Sequence, residues 1–293
     1  MAEQEQRQAV DALLAVLDFG KRLARDHQRR MPVPSYDSVG AVILSLFAAA
    51  HRNAGASADL LRSGWADEAQ VIGRSVFEHV LYAHLVRDDD RQRLLFVHYA
   101  PSLGRWDELD AFLLVFPDTD AALLAQPRAK VREASLRAVA ELGLVRGKDK
   151  GARQADLAAL AADPEALYLR LAAAYPKHRR GRVRAWSPQN LYQVVREVDD
   201  ARGTPTFLTL YRLLYANASR VAHSDPATVG LVRGNNPGTL LLGPDPTMTV
   251  AAAGAIGQLL LGIDELVDDV FKLGLQKPLS EATAAFQASL TAQ

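Results

Sequence analysis

Two short segments combine residue types that can move protons and hold anions. The first contains Arg74 and Glu78, four residues apart, and the second contains Arg212, Ser219 and His223. Histidine is a general acid or base near neutral pH, and arginine stabilises negative charge that develops on a phosphate or an oxyanion. A carboxylate four residues from an arginine can pair with it. These five residues are therefore the candidate catalytic set.

The first segment lies in a predicted helix over residues 66–86 that is apolar around most of its circumference. At 100° per residue, Arg74 falls close to Phe77 and Leu81. A charge on an apolar face is unusual, so Arg74 is expected to pair with Glu78. Two interpretations stay open. The pair is either a buried ion pair that fixes helix register, or part of a pocket or catalytic centre.

The second segment lies in a predicted helix over residues 205–223, opened by Thr-Pro. In a regular α-helix, Arg212, Ser219 and His223 fall within one narrow angular sector. The structural interpretation is a histidine that interacts with the C-terminal end of the helix and a serine bonded back to a carbonyl. The functional interpretation is a general acid/base set with an anion-stabilising arginine.

A basic run near the middle of the chain is the one local signal typical of nucleic-acid binding. Such a run is either a solvated loop or an electrostatic clamp on RNA phosphates. RNA is therefore a candidate partner. The candidate nucleic-acid-binding residues are Lys177, Arg179, Arg180, Arg182 and Arg184.

A metal site is conceivable from Glu78, His98 and His223, but no His-x-x-x-His or Glu-x-x-His spacing supports it. We therefore predict no metal and no cofactor. Phosphate-loop, Rossmann and Gly-x-Ser-x-Gly motifs are absent from the sequence. A metal-dependent hydrolase is the weakest of the enzymatic hypotheses.

The composition favours a cytoplasmic protein. The 293 residues include no cysteine, which excludes disulfides and thiolate chemistry. The 34 basic and 34 acidic residues balance, so no net field draws the whole protein to nucleic acid or an anionic membrane. The N-terminus is polar rather than typical of a signal peptide, and the apolar stretch at 250–263 is short for a membrane span. We expect no membrane partner.

Helical periodicity dominates, so the predicted class is all-α with a single helical domain. A small β-hairpin is an alternative to an irregular loop at 228–243. The predicted four-helix core comprises residues 37–63, 66–86, 205–223 and 247–273. The predicted domain has a core at 37–100 and 188–274, a helical and basic insertion at about 101–187, and an N-terminal helix at 5–28.

Several of these segments resemble a bacterial family of uncharacterised helical proteins, domain of unknown function 5677. They include Leu60-Leu-Arg-Ser-Gly64, Asp-Glu-Ala at 67–69, Trp186 and the stretch at 211–223. Arg74-Ser-Val-Phe-Glu78 and Ser219-Arg-Val-Ala-His223 stand where the family has its recurring Arg-Ser-x-x-Glu and Ser-x-x-x-His signatures. The resemblance covers about residues 40–225 and implies no established activity.

A looser resemblance is to the HEPN superfamily of helical bundles, which implies a metal-independent ribonuclease completed by dimerisation. The HEPN signature separates arginine and histidine by four to six residues, whereas Arg220 lies three residues and Arg212 eleven residues before His223. In this chain the guanidinium would come from Arg212 or from Arg74. The alternative is a non-catalytic helical module that binds a small anionic ligand or a protein partner. A homodimer is a further expectation.

Overall fold

The computed structural model describes residues 2–36, 38–175, 191–215 and 248–291. The regular elements in these ranges are helical, which confirms the predicted all-α class. The hairpin predicted at 228–243 lies outside the described residues. The helices are α1 (Ala2–His27), α2 (Val39–Arg62), α3 (Ala66–Asp88), α4 (Asp90–Tyr99), α5 (Arg105–Val115), α6 (Ala121–Glu141), α7 (Lys150–Ala162), α8 (Pro164–Ala172), α9 (Leu191–Arg202), α10 (Thr206–Leu210), α11 (Thr249–Phe271) and α12 (Gln276–Thr291).

The chain forms two compact units. The first comprises Met1–Arg87 with Leu191–Gln293, and the second comprises Asp88–Asn190. In the first unit α1, α2 and α11 pack against one another, and α12 packs against α1 and α11. The single domain with an insertion at 101–187 stays a prediction.

Helix α2 begins at a serine cap and continues without a break through Gly55. The Ser38 hydroxyl accepts the backbone N–H of Ala41 at 3.2 Å, which satisfies one free donor of the first turn. Ala54, Ala58 and Leu61 are buried on one face. Their burial offsets the cost of about 1 kcal/mol that a glycine imposes on a helix interior, so the helix continues to Arg62.

Helix α11 supplies the most apolar surface of the first unit. Leu259, Leu260 and Ile263 are fully buried. In the described ranges α11 is also the one helix whose length and composition would allow a membrane span, with 67% of its most apolar window buried in the fold. That burial is typical of a core helix, so the composition alone is weak support for a span.

Helix α1, which lies outside the predicted four-helix core, packs closely on α11 and α2. Leu13, Val16 and Leu17 recur at helical spacing and are buried. The fourth predicted core helix, residues 205–223, is described only as far as Tyr215. The exact four-helix core therefore stays a prediction.

In the second unit α6 packs against α4, α5, α7 and α8. Arg170 of α8 pairs with Asp156 of α7 at 3.0 Å, and the Tyr175 hydroxyl donates to the Leu95 carbonyl at 3.1 Å. Asp163 caps α8 by accepting two backbone N–H groups of its first turn. These contacts hold helices α4, α7 and α8 in place. Helix α5, in contrast, contributes no buried residue.

Candidate functional site

Helix α3 and residues 206–215 lie side by side and run in opposite directions. The rings of His84 and Phe207 are 5.3 Å apart, and those of Phe77 and Tyr211 are 6.2 Å apart. Closer to the start of α3, a Cβ added to Gly73 would lie 3.3 Å from Leu214 Cδ1. The absence of a side chain at position 73 therefore permits the close approach of the two segments.

The expected ion pair between Arg74 and Glu78 is present. Arg74 Nε donates to Glu78 Oε1 at 3.1 Å. The two side chains are 27% and 30% exposed, so the expectation that they sit on a buried face is wrong. The buried face of α3 is formed by Val76, Phe77 and Val80. Arg74 lies one residue from Gly73, at the edge of that face, where solvent reaches both charges.

Arg212 is exposed. The buried residues of its segment are Phe207, Leu210 and Leu214. Residues 211–215 form a π-helical turn. Such a turn adds a residue to the helical repeat, so the angular sector calculated for a regular α-helix does not apply across it. π-Turns of this kind are frequent at functional sites.

The remaining predicted site residues fall outside the described residues. These are Ser219, His223 and the basic run Lys177, Arg179, Arg180, Arg182 and Arg184. Among the residues predicted for the site, the structure thus brings Arg74 and Glu78 together. It also places Leu214, five residues before Ser219, against the residue that precedes Arg74.

His98, considered above for a metal site, has a different partner. It is 2% exposed, and its Nε2 lies 2.8 Å from Glu141 Oε2 within the second unit. In the described part of the chain no group of three or more histidine, aspartate or glutamate side chains could hold a metal ion. His98 is thus engaged in a part-buried contact between α4 and α6.

A buried histidine and aspartate form a second polar pair that sequence reasoning missed. His51 Nε2 of α2 lies 2.8 Å from Asp264 Oδ1 of α11. The side chain of Asp264 is 0% exposed and that of His51 is 10% exposed. The imidazole also lies 4.3 Å from the Phe47 ring, between centroids. The pair therefore joins two core helices deep in the first unit.

Burial of this pair disfavours the charged form of the Asp264 carboxyl. Burial raises the pKa of Asp264 above the usual range of a carboxyl, while the hydrogen bond with His51 opposes that rise. Within the described residues, His51 Nδ1 and Asp264 Oδ2 have no hydrogen-bond partner. The sequence carried a signal, because Asp264 follows the apolar stretch at 250–263 and shares a helical face with Leu260 and Val267.

The raised pKa of Asp264 predicts a distinct pH dependence of stability. The folded state keeps the carboxyl proton at pH values where the unfolded chain has lost it, so this contribution falls as pH rises from about 4 through the folded pKa. Urea unfolding of wild type and Asp264→Asn across this range measures it. The stability of wild type relative to the variant is expected to decrease with rising pH. An increase would contradict the assignment.

Gly20 of α1 makes room for the imidazole of His51. Replacing this helical glycine with alanine is therefore expected to destabilise the protein rather than stabilise it. A Cβ added to Gly20 would lie 2.0 Å from His51 Cε1, whereas one added to Gly55 meets nothing within 4 Å. Gly20→Ala is expected to destabilise the protein by about 1–3 kcal/mol through overpacking. The matched control Gly55→Ala should stabilise it by about 0.5–1 kcal/mol. Chemical unfolding of both variants checks this contrast, and a stabilised Gly20→Ala protein would refute the close contact.

A cleft of about 500 Å³ opens in the first unit on another side of α3. Arg202 Nη1 lies 3.2 Å from His84 Nδ1, and its guanidinium carbon is 6.0 Å from the centroid of the Phe207 ring. Glu265 and Ser280 also line the cleft. One wall thus carries the guanidinium of Arg202 near the ring of Phe207. The other walls carry hydroxyl, amide and carboxylate groups.

Comparison with known protein families shows the family to which the chain belongs. Residues 40–238 match the sequence profile of a family of unknown function, DUF5677. The chain belongs to the DUF5677 family. No curated protein and no solved structure matches the chain, and the HEPN resemblance has no support from these comparisons.

The DUF5677 match includes both signature segments, Arg74 to Glu78 and Ser219 to His223. It also includes His51 on α2, whereas Asp264 on α11 lies beyond its end. The candidate catalytic residues are therefore within the family region. The buried pair, in contrast, joins that region to the C-terminal part of the core.

Proposed function

We propose that this DUF5677 protein binds RNA and cleaves it without a metal ion, at a site formed by Arg74, Glu78 and the signature segment that ends at His223. The observation that carries this proposal is the solvent-accessible ion pair of Arg74 and Glu78 beside the 206–215 segment. A pair that only fixed helix register would be expected to lie among apolar side chains. This pair instead sits at the edge of the buried face.

The closeness of the neighbouring segment to Arg74 supports a shared site. Successive contacts lead from His84 through Phe77 to Gly73, so Leu214 lies beside the residue that precedes Arg74. Ser219 and His223 follow within nine residues of Leu214. The exposed guanidinium of Arg212 adds positive charge on the solvent side of this segment.

The proposed reaction needs only the RNA itself. The 2′-hydroxyl oxygen attacks the adjacent phosphorus and forms a new P–O bond, while the bond to the 5′-oxygen breaks. His223 takes the proton of the 2′-hydroxyl as general base and, once protonated, gives a proton to the departing 5′-oxygen as general acid. Arg74 stabilises the negative charge on the phosphoryl oxygens, and Glu78 orients the guanidinium. The products carry a 2′,3′-cyclic phosphate and a 5′-hydroxyl.

The basic run at 177–184 supplies the electrostatic part of the proposal. Its cations would contact RNA phosphates, and each such contact makes binding weaker as salt rises. The net charge of the chain is zero, so this local concentration of charge has to provide the attraction. We also propose that the protein is cytoplasmic and that its core consists of the four helices predicted from the sequence.

The test is incubation of the purified protein with total RNA in excess EDTA, followed by analysis of the new RNA ends. We expect cleavage with cyclic phosphate ends in wild type and none in His223→Ala. Wild-type protein that leaves the RNA intact, or activity that survives in His223→Ala, would overturn the proposal.

A second candidate function is a non-catalytic module that binds a small anionic ligand. The observation that favours it is the cleft containing Arg202, His84 and Phe207, whose volume is typical of ligand sites. Arg202 would hold the anionic group, and Glu265 would limit the ligand to one with a neutral or cationic part opposite. Under this hypothesis Arg202→Ala abolishes ligand binding, and His223→Ala has no functional effect.

The ion pair of Arg74 and Glu78 predicts stabilities that distinguish a register-fixing pair from a functional one. Because both side chains are more than a quarter exposed, Arg74→Met and Glu78→Leu should each cost less than about 1 kcal/mol. The double variant should be no less stable than wild type. Urea unfolding of the three variants measures this. A loss of about 3 kcal/mol or more in each single variant, recovered in the double, would favour the register-fixing interpretation instead.

A further inference from the structure

A cleft of about 390 Å³ lies in the first unit, where helix α11 begins. It is bounded by the N-terminal turns of α1, the C-terminal end of α2 and the N-terminal end of α11. Its polar lining includes Glu3, Arg7, Asp11, Arg62 and Thr249. Small-molecule sites in proteins span roughly 300–1,000 Å³, so the cleft is large enough for a small ligand.

The N-terminal end of α11 directs hydrogen-bond donors into this region. The first helical bond runs from the Ala252 N–H to the Met248 carbonyl at 2.9 Å, so the N–H groups of residues 249–251 have no acceptor within the helix. The side chain of Met248, at the cap position, makes no hydrogen bond with them. These donors coincide with the positive end of the dipole of a 23-residue helix, which favours an anion at this place.

The side chain of Thr249 is a second, independent indication of a polar ligand. Thr249 lines the cleft although it is only 1% exposed. Among the residues that the structure describes, its Oγ1 has no hydrogen-bond partner. A buried hydroxyl without a partner is destabilising, and most such groups in folded proteins are hydrogen-bonded. An anionic oxygen in the cleft would accept the Thr249 proton together with the N–H groups beside it.

Two arginines place positive charge beside the same donors. Arg7 pairs with Glu3 on α1, and the two side chains are 76% and 79% exposed. Arg62 lies 3.5 Å from Asp59 and is 60% exposed. Pairs as exposed as these contribute little stability, so either guanidinium can turn to a ligand at little cost. A phosphate group matches this set of donors, because it has several charged oxygens and binds guanidinium groups through two parallel hydrogen bonds.

Negative groups in the cleft indicate what else the ligand carries. Glu3 is engaged by Arg7, whereas Asp11 is exposed and lines the cleft. At the C-terminal end of α2 the Leu60 carbonyl is already paired, since it accepts the Trp65 N–H at 2.9 Å. Asp11 would repel a bare phosphate ion. A phosphate ester with hydroxyl groups would instead offer hydrogen-bond donors to this carboxylate.

We propose that this cleft binds a hydroxylated phosphate monoester. The first N–H groups of α11 and the Thr249 hydroxyl donate to the phosphate oxygens. Arg7 and Arg62 neutralise the charge of the phosphate, and Asp11 accepts a hydrogen bond from a hydroxyl of the ligand. The proposal does not depend on RNA cleavage, since the described lining of the cleft does not include Arg74.

Isothermal titration calorimetry of the full-length chain, in a buffer without phosphate or sulfate, tests this proposal. The probes are glycerol phosphate, inorganic phosphate and glycerol. Glycerol phosphate is expected to bind most tightly, inorganic phosphate more weakly, and glycerol not at all. Absence of binding by both phosphate compounds would overturn the proposal. Inorganic phosphate that binds as tightly as glycerol phosphate would overturn the assignment of an ester.

Thr249→Val separates a ligand-binding hydroxyl from a structural one, because it removes the hydroxyl and keeps the shape of the side chain. The variant should raise the Kd for glycerol phosphate by about 10-fold or more, since a hydrogen bond to a charged group is lost. Its thermal midpoint without ligand should not fall below that of wild type, because the hydroxyl has no protein partner to lose. An unchanged Kd in Thr249→Val would overturn the proposal.

Charge variants test the roles of the arginines and the aspartate. Arg7→Gln and Arg62→Gln should each weaken the binding of glycerol phosphate. Arg22→Gln is the matched control, because Arg22 is also exposed on α1 but does not line the cleft. Asp11→Ala should weaken glycerol phosphate and strengthen inorganic phosphate, since it removes both a hydrogen-bond acceptor and a repulsive charge. An equal loss of affinity in the Arg22 control would show that only general charge attracts the ligand, and it would contradict a defined site.

Discussion

The His51→Ala protein is expected to lose about 3 kcal/mol or more of unfolding free energy, because Asp264 would be left buried without its partner. The Asp264 carboxyl is completely inaccessible, and His51 is its one hydrogen-bond partner in the described residues. The imidazole also fills space against Gly20 and Phe47, so its removal leaves a cavity. Equilibrium unfolding in urea measures the loss.

The double variant His51→Phe with Asp264→Leu provides the control. It removes both polar groups and keeps most of the volume, so it should recover most of the stability lost in His51→Ala. Recovery of stability in the double variant would show that burying the two polar groups costs desolvation energy. It would also show that each group needs the other as its partner. If His51→Ala loses less than about 1 kcal/mol, Asp264 does not depend on His51 as its buried partner and the account of this core is wrong.

Arg74→Ala is expected to lower the rate of RNA cleavage by about 100- to 1000-fold, as removal of a group that stabilises developing charge does in other sites. The protein should stay folded, since the ion pair with Glu78 is partly exposed and stabilises the fold only weakly. Arg74→Lys keeps a positive charge but loses the planar guanidinium, so it should recover only part of the rate. Single-turnover cleavage of a labelled RNA in EDTA measures all three proteins.

Arg87 on the same helix is the matched control for this prediction. It pairs with Asp269 at 3.6 Å and is as exposed as Arg74, but it lies at the other end of α3. Arg87→Ala should therefore cleave RNA at the wild-type rate. An equal loss of rate in Arg74→Ala and Arg87→Ala would mean that both arginines act through general charge, and it would remove Arg74 from the catalytic set.

The class of the fold could be predicted because helical periodicity is a local property. The apolar spacing of α1, α2, α3 and α11 predicted each of these helices within a few residues of its observed ends. The burial of the alanines on either side of Gly55 in α2 could not be predicted, because it is decided by other helices. Which helices share a core is likewise a tertiary property, as the close packing of α1 on α11 shows.

The candidate site could be predicted only in part. The i, i+4 spacing predicted the contact of Arg74 with Glu78, but the degree of exposure depends on which neighbours cover α3. The exposure of Arg212 could have been predicted, because Phe207, Leu210 and Leu214 recur at helical spacing and leave Arg212 on the opposite side. His51 and Asp264 are 213 residues apart, so their contact could not be derived from spacing.

The central claim is that the two family signatures form one catalytic site, and a double-mutant cycle on cleavage rate tests it most directly. Wild type, Arg74→Ala, His223→Ala and the double variant are compared in EDTA under single-turnover conditions. Groups that act as a unit in one transition state are strongly non-additive. We therefore predict that the double variant cleaves RNA no more slowly than the slower single variant. Losses that multiply, or wild-type protein without His223-dependent cleavage, would contradict the claim.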